Sequence, residues 1–136
     1  MTSAWEKAEK LEPAECMALL SSVRYGRVGW SGTLGPQVLP VNHRVLDGAV
    51  VFRTKLYSAL ADGTREGMAA FEADELEDRM QSGWSVLVVG RSEHLEDPAE
   101  IREVFQRMDE PWAPGSRQLL VRIAPEQVTG RRFHRT

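Results

Sequence analysis

Apolar residues recur along this chain with two different periods. Between Pro13 and Val23, the apolar residues Cys16, Leu19, Leu20 and Val23 fall at helical spacing. Pro13-Ala14-Glu15 opens the segment, Glu12 and Glu15 suit the positive end of the helix dipole, and Tyr25-Gly26 breaks the pattern. A helix of about three turns is predicted there. Beyond it the period shortens to two. Arg27 to Ser31 alternates polar and apolar, Gly32-Thr33-Leu34-Gly35 supplies turn chemistry, and Pro36 to Val41 resumes an extended pattern in which Pro40 holds its predecessor extended. Asp47-Gly48 is a hairpin signal, and the β-rich run Ala49 to Phe52 follows it.

The second half repeats this alternation of strand and helix signals. Lys55 to Ala61, short and polar, reads as one or two helical turns, and Gly67 to Glu72 as a strand. Ser85 to Gly90 is a continuous apolar run flanked by Gly83 and Gly90, the plainest strand of the chain. Pro98 to Met108 is predicted helical: Asp97 can cap it, Pro98 takes its first position, and Ile101, Val104, Phe105 and Met108 form its apolar stripe. Pro111 to Gly115 must be irregular, Leu119 to Ile123 is a strand, and Val128 to Phe133 reads as a last one. Strands joined by turns too short for parallel crossovers predict a mostly β domain, an antiparallel barrel or sandwich with flanking helices.

No repeat or low-complexity linker divides the sequence, so residues 1–136 read as a single domain, with residues 1–12 a loosely ordered or helical extension. A chain of 136 residues, 42% of them hydrophobic, can build one core without staples. Cys16 is its one cysteine and cannot form an intramolecular disulfide; on the apolar face of the first helix it reads as a packing residue. Seventeen Lys and Arg against twenty Asp and Glu leave a net charge of −3, which argues against a nucleic-acid partner despite the basic tail Arg131, Arg132 and Arg135. No apolar run approaches the roughly 20 residues of a membrane span, and no export segment opens the chain, so a soluble cytoplasmic protein is expected.

Most chemical signatures do not occur. Gly26, Gly29, Gly32 and Gly35 fall across a strand and a turn rather than before a helix, which is not a phosphate loop. His43, His94 and His134 have no metal-ligand spacing, so no metal site is expected. The acidic run Glu72, Asp74, Glu75, Glu77 and Asp78 reads as a solvated connector. One cluster has chemistry. In Phe52-Arg53-Thr54-Lys55 an apolar strand ends in two cations and a hydroxyl, which suits either a bound phosphate or a solvated strand terminus. Trp84 and Trp112 stand beside glycine and proline in connectors, where aromatics line a slot for a flat ligand, face a partner or simply pack.

The order of these segments resembles the small actinobacterial-type branch of the pyridoxamine 5′-phosphate oxidase-like, flavin-binding split-barrel family. The resemblance runs through Gly26-Arg27-Val28, Leu39-Pro40-Val41-Asn42, Asp47 to Thr54, Lys55-Leu56, Ala70-Phe71-Glu72, Ser82 to Gly90, Pro111-Trp112-Ala113-Pro114-Gly115, Val121 to Pro125 and Thr129 to Arg132. It implies an antiparallel six-stranded split β-barrel of Greek-key type with two or three flanking helices. It also implies a homodimer with flavin mononucleotide (FMN) in two clefts between the subunits. Carried over position by position, Arg53, Thr54 and Lys55 would meet the phosphate and ribityl chain. Pro40, Val41 and Asn42 would run along the isoalloxazine edge, and Phe52 and Ser58 complete this expected set. Trp84 and Ser85 would close another side, with Trp112 a wall from the second subunit.

Relatives carry a short turn of Gly with Ser or Thr between Arg-Thr and Lys-Leu; here Thr54 runs directly into Lys55, and the next hydroxyl is Ser58. The resemblance implies an FMN-dependent oxidoreductase acting on a small-molecule substrate, with His43 as the candidate general acid. The family's range leaves two alternatives. One is a deazaflavin-dependent reductase, for which Arg44 and Arg65 offer further cations; the other is a cofactor-free binding or regulatory module.

Overall fold

The computed structural model describes residues 8–79, 81–108 and 118–134. Its elements in chain order are β1 (Glu9–Lys10), α1 (Pro13–Ser22), β2 (Tyr25–Gly32), β3 (Gly35–Leu46), β4 (Ala49–Lys55), α2 (Ala59–Gly63), β5 (Glu66–Glu77), β6 (Ser82–His94), α3 (Pro98–Gln106) and β7 (Gln118–Phe133). Every strand pairing is antiparallel. The ladder runs β7-β4-β3-β2-β5-β6, and β6 pairs back onto β7, so six strands close on themselves, as the split-barrel expectation required. Closure leaves few unpaired edges, and β1 adds to β7 through Glu9↔Arg132 and Lys10↔Arg131. At Glu9–Lys10 the expected loose or helical extension is therefore paired strand.

Alternation decides what the barrel buries. Val28 and Trp30 from β2, Val50 and Phe52 from β4, Ala69, Phe71 and Ala73 from β5, and Val86 and Val88 from β6 all turn inward, and Cys16 and Leu20 of α1 join the same core. Burial pushes the Cys16 thiol up from its ordinary value, which suits packing rather than reactivity. A second, smaller core lies on the outside of the barrel, where Val51, Leu95 and Leu120 meet Val104, Ile101, Phe105 and Met108 of α3. The Asp97 carboxylate accepts a hydrogen bond from the Ala99 amide at 3.2 Å, as a helix cap should.

Three elements differ from the pattern reading, each for a tertiary reason. The acidic segment from Glu72 to Glu77 is not a connector: it continues β5, paired residue by residue with β6 as far as Glu77↔Ser82. Ala73 points into the core while Glu72 and Asp74 point out, a spacing that the density of charge had masked. The helical turns expected from Lys55 begin only at Ala59, because Lys55 still pairs with Gln118. The two expected strands at 119–123 and 128–133 are one strand, β7, which runs through Pro125 at a β-bulge opposite Gly90. Gly90 is required there, since a Cβ at that position would collide with the Ala124 carbonyl.

Candidate functional site

The barrel splits at one place. β3 and β4 form a hairpin through Asp47 and Gly48, paired from Leu46↔Ala49 to His43↔Phe52, and there their ladder stops. Beyond that point β3 continues with β2, from Tyr25↔Asn42 to Gly32↔Gly35, while β4 continues with β7 to Lys55↔Gln118. The two strands fork, and α2 lies in the opening with Leu60 and Ala61 buried beneath it. Burying one leucine contributes about 1.5–3 kcal/mol, which anchors so short a helix.

The cleft at this fork encloses about 690 Å³ and is lined by Pro40, Val41 and Asn42 from β3 and by Arg53, Thr54 and Lys55 from β4. Tyr25, Leu39, Ser58, Ala59 and Leu60 complete it. Seven residues singled out in the sequence thus meet in one cavity: Pro40, Val41, Asn42, Arg53, Thr54, Lys55 and Ser58. Tyr25 and Leu39 were not foreseen. Tyr25 stands opposite Asn42 in the β2–β3 register, a pairing that a single-strand reading does not reveal.

The polar wall has a defined internal order. The Ser58 hydroxyl donates to the Lys55 carbonyl at 2.7 Å, so its one proton is committed. It accepts from the Ala61 amide at 3.0 Å, capping α2, and from the Thr54 hydroxyl at 3.1 Å. Ser58 therefore closes the turn between Lys55 and α2, in which Tyr57 adopts a positive φ of 62°. The direct run of Thr54 into Lys55 does not leave the segment shapeless. The Arg53 guanidinium carbon lies 5.3 Å from the centroid of the Phe105 ring on α3, a cation–π contact that holds it beside the cleft. Phe105 had been assigned only to the apolar stripe of its helix.

Other expected site residues lie elsewhere. Phe52 points into the barrel core and is fully buried. His43, one residue along from Asn42, also turns inward: its ring packs 4.6 Å from Phe71, centroid to centroid, and its Nε2–H donates to the Leu20 carbonyl at 2.9 Å. A carbonyl can only accept, so Nε2 carries a proton, and burial pushes the pKa of the imidazole down from the ordinary value. Nothing in this placement faces the cleft. Trp84 lines a separate hollow of about 520 Å³ with Glu75, Arg132 and His134, and Ser85 pairs with Asp74 and Arg131 in mid-strand. Trp112 lies outside the described residues.

Chemically, the cleft offers one apolar wall and one cationic wall. Leu39, Pro40 and Val41 present hydrocarbon beside Tyr25, whereas Arg53 and Lys55 present a planar fork of donors and a point charge. A flat, largely apolar molecule with an anionic end matches both walls. None of the described helices is long and apolar enough to cross a membrane.

Comparison with known proteins covers nearly the whole chain. Residues 12–132 match the model of the pyridoxamine 5′-phosphate oxidase family. An uncharacterised protein of Mycobacterium tuberculosis is 39% identical, covering 96% of this chain and 88% of the relative. Among solved structures, the FAD binding protein from Mycobacterium smegmatis superposes with a TM-score of 0.84 at 32% identity, over 94% of this chain and 100% of that one. A conserved protein of unknown function from Corynebacterium diphtheriae gives 0.76 at 28% identity, over 92% and 97% of the two chains. The forked barrel, the cleft at its fork and the match from Glu12 to Arg132 agree: this chain belongs to the pyridoxamine 5′-phosphate oxidase family.

Proposed function

We propose that this protein is a flavin-dependent oxidoreductase that holds FMN in the cleft at the β3–β4 fork and acts on a small-molecule substrate. One observation carries the reading: two cations, Arg53 and Lys55, share a single cavity with the apolar run Leu39-Pro40-Val41. The flavin phosphate is anionic and pairs with the guanidinium and ammonium, while the isoalloxazine ring takes the apolar wall. Asn42 supplies both a donor and an acceptor to the polar edge of that ring. The likeness to the FAD binding protein from M. smegmatis supports the same ligand class. When bound, the flavin supplies the redox chemistry, and the protein binds it, orients it and excludes water.

A homodimer with the cleft at its interface belongs to this reading. Tyr25 and Leu39 at the cleft, with Val38 next to them on β3, remain exposed in the single chain. Covering such a surface with a second copy uses one patch twice and shields the ring from solvent. Sedimentation velocity tests this: a dimer at micromolar concentration is expected, and a monomer at all concentrations overturns it.

The ligand reading is tested by calorimetric titration of the purified protein with riboflavin and with FMN. FMN is expected to bind at least about tenfold more tightly, since only it carries the phosphate. Absence of FMN binding overturns the flavin reading. Equal affinity for riboflavin overturns the roles given to Arg53 and Lys55.

A further inference from the structure

The hollow at Trp84 shares no lining residue with the cleft at the fork. Its walls are the paired ends of β5, β6 and β7, where the register sets Glu75 opposite Trp84 and Trp84 opposite Arg132. All three continue the inward-facing series of their strands. Two residues further in, Ala73 and Val86 are buried in the core, and a Cβ on Gly130 would collide with the Cys16 sulfur. The row therefore stands at a mouth of the barrel, a place where small ligands are commonly held. A carboxylate and a guanidinium flank an indole there, on a face that is otherwise apolar.

Each member of the row keeps a polar group for a ligand. Glu75 has no hydrogen-bond or ion-pair partner among the described residues. Trp84 is only 7% exposed, and its indole N–H has no acceptor among the described residues, yet it is not sealed in the core. Arg132 gives one Nη1–H to Glu15 at 2.6 Å, and its other donors remain. The second carboxylate at the hollow, Glu77, accepts from the Arg79 amide at 3.2 Å. In the next row Leu76 and Phe133 stand on either side of Gly83, so the same hollow has an apolar wall with a gap in it.

We infer that this hollow binds a zwitterion, an α-amino acid with an apolar or aromatic side chain, at a site separate from the flavin cleft. Glu75 accepts from the ammonium, Arg132 and the indole N–H donate to the carboxylate, and the side chain lies against Leu76 and Phe133. Spacing selects the class. Glu75 and Arg132 stand on the two strands that flank β6, so with side chains side by side their charged ends are roughly 10 Å apart. Charge-assisted contacts of about 2.8 Å at each end leave roughly 4 Å between the ligand's own charges. Both charges on one carbon skeleton, a single bond apart, fit that gap; charges at the two ends of a longer chain overrun it. A volume of about 520 Å³ admits a large side chain.

Calorimetric titration of the full chain with three compounds decides the matter: L-phenylalanine, 2-phenylethylamine, which lacks the carboxylate, and 3-phenylpropanoate, which lacks the ammonium. L-Phenylalanine is expected to bind at least about tenfold more tightly than either analogue. In Glu75→Gln it is expected to lose at least about tenfold in affinity, while 3-phenylpropanoate binds as it does to the parent. Glu75 is exposed, and an unchanged unfolding midpoint certifies the fold of the variant. No binding of L-phenylalanine at millimolar concentration overturns the site. Equal affinity for all three compounds overturns the zwitterion, and so does full L-phenylalanine affinity in Glu75→Gln. Each of these outcomes is independent of whether FMN binds at the fork.

Discussion

β3 and β4 can be compared with themselves on the two sides of their fork. On the hairpin side, from His43↔Phe52 to Leu46↔Ala49, the strands are hydrogen-bonded to each other and their inward side chains, Phe52, Val50 and His43, are buried. On the open side, Pro40 to Asn42 and Arg53 to Lys55 face each other across a cavity. The change happens within one residue on each strand. A backbone ladder is a zipper: where it is closed, side chains are committed to the core and contribute stability. Where each strand has taken another partner, the facing side chains can serve a ligand. Under the proposed function, ligand binding comes from a rearrangement of pairing rather than from irregular strand geometry.

That contrast makes separable demands on stability and on binding. Phe52→Ala removes a fully buried ring from the closed side and is expected to cost about 3–5 kcal/mol, measured by denaturant unfolding. A loss below 1 kcal/mol, by that same estimate, would mean that the closed side is not where stability resides. Arg53→Ala and Lys55→Ala, on the open side, should each weaken FMN binding by roughly 1.5–3 kcal/mol in calorimetry and leave the unfolding midpoint nearly unchanged. If both variants unfold early, the two sides are not separable.

A pH series sharpens the comparison at its boundary, where His43 stands. The folded protein keeps this imidazole neutral to lower pH than the unfolded chain does, because protonation would place a charge in the core. On acidification below the ordinary histidine range the unfolded chain binds the proton first, so stability falls. His94 is also pushed down by burial and adds to the same trend. Glu72 acts in the opposite sense. Burial and its neighbour Asp74 push its carboxyl up to about 7 although Arg27 meets it at 2.8 Å, and its contribution is lost as pH rises toward that value. His43→Gln is expected to flatten the acid limb relative to the parent; an unchanged slope would remove His43 from the core role assigned to it. The smallest effect belongs to Phe105→Ala, which removes the ring facing the Arg53 guanidinium and should weaken FMN binding by about 0.5–1 kcal/mol.

Much of this molecule was legible in the sequence because its signals are local. The hydrophobic period distinguished α1 and α3 from the strands, and Asp47-Gly48 marked the hairpin whose closed arm ends at Phe52. The cationic end of β4 also stood out as chemistry, whereas Pro40, Val41 and Asn42 of β3 were singled out only through the family resemblance. The failures share one cause. Glu72 to Glu77 and Pro125 look like connectors when each is judged alone, yet the pairing of a neighbouring strand holds both in a sheet. His43 and Phe52 sit beside cleft residues in the chain but lie on the closed side of the fork, where the two strands pair with each other and bury both side chains.

The sequence by itself determined most of the elements, their antiparallel pairing and the two cations and hydroxyl that end β4, since propensity, turn chemistry and alternation act over a few neighbouring positions. Only the tertiary structure decided where β3 leaves β4, which side chains face the resulting opening, and that Tyr25, Ala59 and Phe105 belong beside them. Those facts depend on hydrogen-bond partners that are distant along the chain, and no local pattern encodes which of two available strands a backbone will choose.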